Sequence, residues 1–394
     1  MSSPRPRFSD DQRRARVGRR HLLAPAYRAG SAEEVADAVV ALHATDPATV
    51  YLSVCARLAE PAADEVDRAL YEDVTLVKLL SMRRTLFAVT TELAPYVGSS
   101  TARAIAARER AQLLKHLREN IEEGAHWDEE RLAATERAAL DALAVRGEAT
   151  TAELNKDVPA LRETILTSPD KPYAARQSVG SRVLRLLAAD GHIRRARPRG
   201  SWTSSMFPWA AAERLPEPPV REAKAELARR WLDSFGPATE TDLKWWTGWS
   251  LGDTRKALAD AGAVDVELDC GPGRALPGQP EEETPPVGPW AALLPCLDPT
   301  TMGWRHRDWY LPPEHVPALF DRAGNAGPTV WWNGRVVGAW TQRADGEVVW
   351  RLLTDVGREG AAAVEAEAER LTAWIGAVRV TPRYRAPLER ELAN

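Results

Sequence analysis

Three cysteines in 394 residues are too few, and odd in number, for a disulfide framework, and Cys55, Cys270 and Cys296 share no metal-ligand spacing. No metal site is expected. No run of about 18 apolar residues is present to span a bilayer, and the start MSSPRPRFSDDQRRARVGRR lacks the apolar core of a secretory leader. A soluble cytoplasmic protein without a membrane partner is expected. Also missing are GxSxG, HExxH, CxxC, GxxxxGK(S/T) and a GxGxxG between strand and helix. These gaps argue against serine-nucleophile, zinc-hydrolase, P-loop and dinucleotide chemistry, and no cofactor is expected.

The chain has no large excess of charge of either sign: 52 Lys and Arg stand against 56 Asp and Glu. The distribution is uneven, however. Arginines crowd the N-terminus and the stretch GHIRRARPRGSW, where Arg194, Arg195, Arg197 and Arg199 lie, while acid gathers in PEEET and EAEAER. Such segregation can give a mildly acidic protein a polyanion-binding face.

At this length several cores are expected, and the chain resembles itself. GEATTAEL (147–154) and GPATETDL (236–243) keep Gly, Ala, Thr and Leu in register, and each leads to a second helical segment ending in glycine and an extended piece. Thr150 with Glu153, and Thr239 with Asp242, have the spacing of a reciprocal N-terminal cap. After Gly191 the first copy continues as two β-prone stretches around a basic turn, the pattern of a winged helix. Its recognition helix is expected over Gln177–Asp190, with Arg182 and Arg185 on one face. Trp202 lies within the wing, where contact with DNA and core packing are equally reasonable readings. The second copy, with KWWTGW and DCGPGRALPG, reads as packing and loop, a structural wall.

A third capped helix starts at Ser31 and Glu34, with Val35, Val39 and Leu42 at helical spacing. It must end before Pro47, and Asp46 is placed to cap the next helix, with Pro47 at its first position. ALHATDP (41–47) is thus an elbow between two helices. A structural role accounts for much of it, with Asp46 as a cap, Thr45 as a local hydrogen-bonder and His43 as a lone histidine at a helix end. Against this, three polar groups converge on a helix N-terminus, which can hold water or an anion. Beyond about residue 286, Asn333-Gly334 between PTVWW and RVVGAW signals a type I′ hairpin. A small sheet or barrel closed by a helix near 360–378 is expected there, after a Pro/Glu-rich linker over 271–289.

VVALHATDPATVYLSVCARL, SMRRTLFAV (81–89), ATETDLKWWTGW (238–249), LLPCLDPTTMGWRHRD (293–308) and NGRVVGAW (333–340) together resemble the AlkZ-type winged-helix DNA glycosylases. The resemblance runs over nearly the whole chain, in order. It implies a mainly helical α+β fold of three tandem winged-helix domains around a concave DNA-binding surface, followed by a small C-terminal β-barrel. The expected division is a winged-helix-type unit with the elbow over 1–100, a helical connector over 101–140, winged helices over 141–214 and 215–285, and the barrel with its closing helix over 286–394.

The resemblance also implies excision of bulky or cationic alkylated bases, including unhooking of interstrand crosslinks, through a Gln-apolar-Gln or Gln-apolar-Asp motif at the elbow. Those positions are His43 and Thr45 here, with Ala44 between, so both motif residues differ from the family's. An N7-alkylated purine needs little leaving-group acid; the enzyme must hold a water and stabilise an oxocarbenium-like centre. His43, with an ordinary pKa near 6.5, could accept a proton from that water, Thr45 could orient it, and Asp46 could stabilise the sugar cation. Arg83, Arg84, Arg182, Arg185, Arg194, Arg195, Arg197 and Arg199 are the expected phosphate contacts on duplex DNA. The protein is expected to act as a monomer. The alternatives are a DNA-binding regulator or damage sensor without catalysis, and a protein-interaction scaffold, which the arginine-loaded wing disfavours.

Overall fold

A computed structural model describes residues 5–119, 121, 126–167, 174–279 and 287–394. One order of elements recurs three times along it. The first unit runs helix Ala32–Ala38, strand Leu42–His43, helix Pro47–Cys55, a short helix Ala63–Asp67 prolonged by a wider turn to Glu72, and a hairpin of Leu76–Ser81 with Thr85–Thr90. The second runs helix Glu129–Arg146, strand Glu148–Ala149, helices Thr151–Asp157 and Val179–Ala189, and strands Ile193–Arg195 and Trp209–Ala211. The third runs helix Val220–Phe235, helices Glu240–Thr247 and Leu251–Asp260, and strands Val264–Leu268 and Gly271–Ala275. In the first two, the first strand pairs with the last, which pairs with the middle one. In the third, the single residue Ala238 bridges to Arg274 in place of the first strand.

Local chemistry sets these boundaries as expected. Thr150 and Thr239 make reciprocal caps with Glu153 and Asp242, and the Ser31 side chain accepts from the Glu34 amide. Asp46 caps Pro47–Cys55 with Pro47 in the first turn. The apolar stripe Val50, Val54 and Leu58 is fully buried. Gly191 closes its helix at φ 78°, a conformation that suits a residue without a Cβ.

Four expectations need correction. The helix before the elbow stops at Ala38, and Leu42–His43 is a strand paired to Ala88 and Phe87. The run Val39, Val40, Ala41, Leu42 is buried all round, so helical spacing there could not distinguish a helix face from a short interior strand. The helix expected to start at Gln177 starts at Val179, capped by Ser178, because Ala175–Ser178 pairs with Thr164–Thr167 as a separate hairpin. DCGPGRALPG is not loop: Gly271–Ala275 pairs antiparallel with Val264–Leu268, which also takes Arg7–Phe8 in parallel. Finally, the C-terminal strands form an open antiparallel sheet rather than a closed barrel among the described residues. Ala291–Leu294, Thr329–Trp332, Arg335–Gln342 and Val348–Leu352 follow one another as a meander. Helix Gly357–Ile375 covers it, contributing Val364, Ala368, Leu371 and Ile375 to their shared core. The Asn333-Gly334 turn has positive φ at both residues, 47° and 80°. The PEEET part of the linker lies outside the described residues.

The first unit is bolted to the C-terminal part by a buried ion pair. Arg57 and Asp298 are both fully buried, with guanidinium-to-carboxylate distances of 2.7 and 2.9 Å. Ser53 Oγ and the Thr300 amide also donate to Asp298. The largest apolar core joins the hairpin of the first unit (Met82, Phe87, Val89) to the third unit (Trp231, Phe235, Trp246) and to Trp304, Tyr310 and Trp331. The sheet face that carries His43 and Phe87 is therefore held between three parts of the chain.

Candidate functional site

The cross-strand register places His43 opposite Phe87 and Phe87 opposite Leu79. Side chains alternate along a strand, so His43, Phe87, Leu79 and Ser81 project from one face of the sheet. The His43 ring packs edge-on to Phe87 at 5.1 Å, and the residue is 6% exposed. Its Nδ1 is buried without a hydrogen-bond partner, as are Ser81 Oγ and Arg83 Nε. Buried polar atoms without partners are uncommon in folded proteins and cost free energy, so this face has unused hydrogen-bonding capacity. Burial, reinforced by the nearby Arg83 charge, pushes the imidazole down to about 3. His43 is consequently neutral in ordinary buffers and a weak proton acceptor, which corrects the expectation of an ordinary histidine base.

The rest of the elbow separates into two roles. Asp46 is 6% exposed, and its carboxylate is occupied by the Ala48 amide at 3.2 Å and the Arg383 amide at 3.0 Å, with Cys296 Sγ at 3.7 Å. It is a capping and cross-linking residue, not a free charge for a sugar cation. Thr45 differs. In the second and third units the last paired residue, Ala149 or Ala238, stands directly before its helix cap, whereas in the first unit the strand ends at His43 and Ala44 and Thr45 intervene before the cap Asp46. Thr150 and Thr239 are the caps there, whereas two extra residues in the first unit leave the cap to Asp46. That releases the half-buried Thr45 hydroxyl, which makes no hydrogen bond among the described residues.

Arg83 and Arg84 form the tip of the hairpin at φ 55° and 60°. Two successive L-residues in the left-handed region are costly and are found where the surroundings impose them. The Arg83 guanidinium lies 4.1 Å from the Trp245 ring centre, and Arg307 lies 5.1 Å from the same ring. Burial and the neighbouring Arg307 lower Arg83 to about 10. Arg84 instead pairs with Glu109. Trp245 and Arg307 carry no local sequence signal toward this site; only the packing of the third unit against the hairpin brings them there.

The remaining expected DNA contacts fare unequally. Arg182 and Arg185, on helix Val179–Ala189, have no carboxylate partner among the described residues. Burial lowers both, and each shows a pull from Glu109 in the other direction. Arg197 is taken by Glu72 at 2.6 Å and Asp67 at 3.3 Å, and Arg199 approaches Glu153 at 3.4 Å. Arg194 and Arg195 line a cavity between the first and second units. Trp202 stacks between Tyr51 at 5.2 Å and Trp374 at 5.7 Å, so its ring is committed to packing. The base of the wing, with Arg195 and Trp202, thus packs against protein, while its tip, with Arg197, Arg199 and Met206, stays exposed. Among the described residues no cluster of histidine, cysteine and carboxylate side chains could hold a metal, and no helix is long and apolar enough to cross a membrane.

The chain belongs to the AlkZ-like DNA glycosylase family, whose model, described as DNA glycosylase AlkZ-like, matches residues 36–374. An interstrand DNA cross-link repair glycosylase from Streptomyces sahachiroi is 32% identical over 179 residues, 43% of this chain and 47% of that protein. The match spans about half of that relative's length. The solved structure of the Streptomyces sahachiroi DNA glycosylase AlkZ covers 96% of this chain and 99% of its own, with a TM-score of 0.70 and 24% identity. At that identity the likeness is one of fold.

Proposed function

We propose that this protein is a monofunctional DNA glycosylase that hydrolyses the N-glycosidic bond of N7-alkylated or bulkier, crosslinked purines in duplex DNA, and that its three repeated units are winged helices. The observation that carries this reading is the polar elbow on the Arg83 face, where His43 Nδ1 is buried with no partner and Thr45 is freed from capping. Family membership and the interstrand cross-link repair role named for the Streptomyces relative supply the substrate class.

The chemistry asks little proton transfer of the protein. A cationic purine is a good leaving group, so holding a water beneath the anomeric carbon and screening developing charge provide most of the rate. Neutral His43 suits orientation: it accepts or donates one hydrogen bond without carrying charge. Thr45 supplies a second contact to the water. Arg83, stacked on Trp245, is placed to hold a phosphate of a distorted strand, and Arg182 and Arg185 to hold the duplex further along.

A second reading, a DNA-binding protein without catalysis, draws on one observation: the only carboxylate of the elbow, Asp46, is occupied by two backbone amides. The two readings separate on a duplex carrying a defined N7-alkylguanine crosslink. Appearance of free base and of an abasic strand supports the glycosylase. Tight, salt-dependent binding with no base release under single-turnover conditions supports the other.

A further inference from the structure

A cavity of about 650 Å³ lies between the first and second units, along the edge strand of the first sheet. Lys78 is paired with Ala88 and His43 with Phe87, so alternation sends their side chains to opposite faces. The cavity is bounded by the edge strand Leu76–Ser81, by Ile193–Arg195 and by the connecting segment 211–217, which Arg103 ties down through Glu217 at 3.1 Å. Much of the lining is apolar, including Leu70, Leu76, Ala102 and Leu215. Its volume falls in the range of roughly 300–1,000 Å³ typical of small-molecule sites.

The lining carries charge of both signs, but Asp73, Asp190 and Glu217 are paired with Arg68, Arg110 and Arg103, whereas Lys78 and Arg195 make no ion pair among the described residues. Lys78 Nζ donates to the Tyr71 hydroxyl at 2.7 Å, its one hydrogen bond among the described residues. Tyr71 in turn bonds to Tyr51, which donates to Asp67 at 2.5 Å. The Asp67 carboxylate is thereby spent on Tyr51 and on Arg197. Arg195 has a ring for company, with its guanidinium 4.5 Å from the centre of Phe207, and no carboxylate. Lys78 is half-buried at the cavity wall, and burial together with the nearby Arg195 charge, partly offset by Asp67, lowers its ammonium to about 7. Burial and the approach of Arg185 lower Arg195 to about 10. Enclosed like charges without an anion are costly, and an anion entering the cavity relieves the cost for both.

We propose that this cavity binds an anionic small molecule with an apolar body, its acid group received by Lys78, Tyr71 and Arg195 and its body by the apolar wall. The site is independent of the glycosylase reading, because none of the elbow residues lines it.

Pyridoxal 5′-phosphate, a planar anionic aldehyde, serves as the probe on the full chain. Lys78 Nζ attacks the aldehyde carbon, the oxygen leaves as water, and hydride from cyanoborohydride with a solvent proton fixes the imine as a secondary amine. At pH 7 about half of Lys78 is free amine, against roughly one in two thousand for an ordinary surface lysine. Peptide mass spectrometry is expected to show Lys78 modified at least about tenfold faster than exposed Lys115. Pyridoxal without its phosphate should react with Lys78 about tenfold more slowly, and Arg195→Met should erase that difference while the circular dichroism stays unchanged. Saturating duplex DNA should leave the Lys78 rate within about twofold, since the proposed occupant is a small molecule. Modification of Lys78 no faster than Lys115, no preference for the phosphate, or protection by DNA would each overturn the proposal, the last by assigning these cations to the DNA backbone.

Discussion

Replacing His43 by glutamine removes one of the two histidines lowered to about 3; the other is His21, lowered by burial and by the Arg57 charge. In the unfolded chain both return to about 6.5. Their folded pKa values are depressed, so the unfolded state binds more protons below 6.5. The stability they contribute is complete above that pH and is lost as pH falls toward 3. Between about pH 7.5 and 5.0 each neutral histidine costs about 2 kcal/mol of stability, so the wild type loses about 4 kcal/mol from the pair. His43→Gln does not titrate and should lose about 2 kcal/mol less over the same interval. Urea unfolding at the two pH values, in wild type and variant, measures the difference. His116, lowered by burial, and His306, raised by its hydrogen bond to Asp242, are present in both proteins and cancel. An equal loss in the two proteins would show that His43 is not held neutral, and the orientation role drawn from its burial would fail.

Asp298→Ala leaves Arg57 as an uncompensated buried cation and should cost about 3–5 kcal/mol. For a single cooperative unit of this length that is roughly 4–6 °C in Tm by calorimetry, and the double change Arg57→Met with Asp298→Leu should recover most of it. Asp46→Ala removes a helix cap and the acceptor for the Arg383 amide; a loss of about 1–3 kcal/mol in chemical unfolding is expected, with Asp46→Asn closer to wild type. Arg182→Ala with Arg185→Ala should flatten the slope of log K against log salt for duplex DNA by about 1.8 if both meet phosphates. An unchanged slope would remove that helix from the DNA face.

Reciprocal caps, the Asn-Gly hairpin and the Asp46-Pro47 start were legible because each is decided within four or five residues. Two of the three repeats were legible for the same reason. The first unit hid because its opening strand is two residues long and lies in a run of buried apolar residues, which reads equally well as helix. The elbow was found from residue types, but the division of labour within it was not. Whether Asp46 is free depends on the Arg383 amide more than 300 positions away, and the pKa of His43 depends on packing against Phe87 and Arg83. The charge content of the wing does not show that Glu72, Asp67 and Glu153 lie beside Arg197 and Arg199, because those partners come from other elements. Trp202 illustrates the same limit: a tryptophan in a basic loop is a packing residue once Tyr51 and Trp374 are brought to its two faces.

The most direct test is single-turnover release of N7-methylguanine from a defined duplex by wild type, His43→Gln and His43→Ala, with DNA affinity measured alongside. If His43 orients water as a neutral hydrogen-bonding group, glutamine should keep the rate within about tenfold, whereas alanine should lose about a hundredfold or more with affinity changed only a few-fold. Glutamine as slow as alanine would show that proton transfer by the imidazole is required, and an unchanged rate in the alanine variant would remove His43 from the reaction.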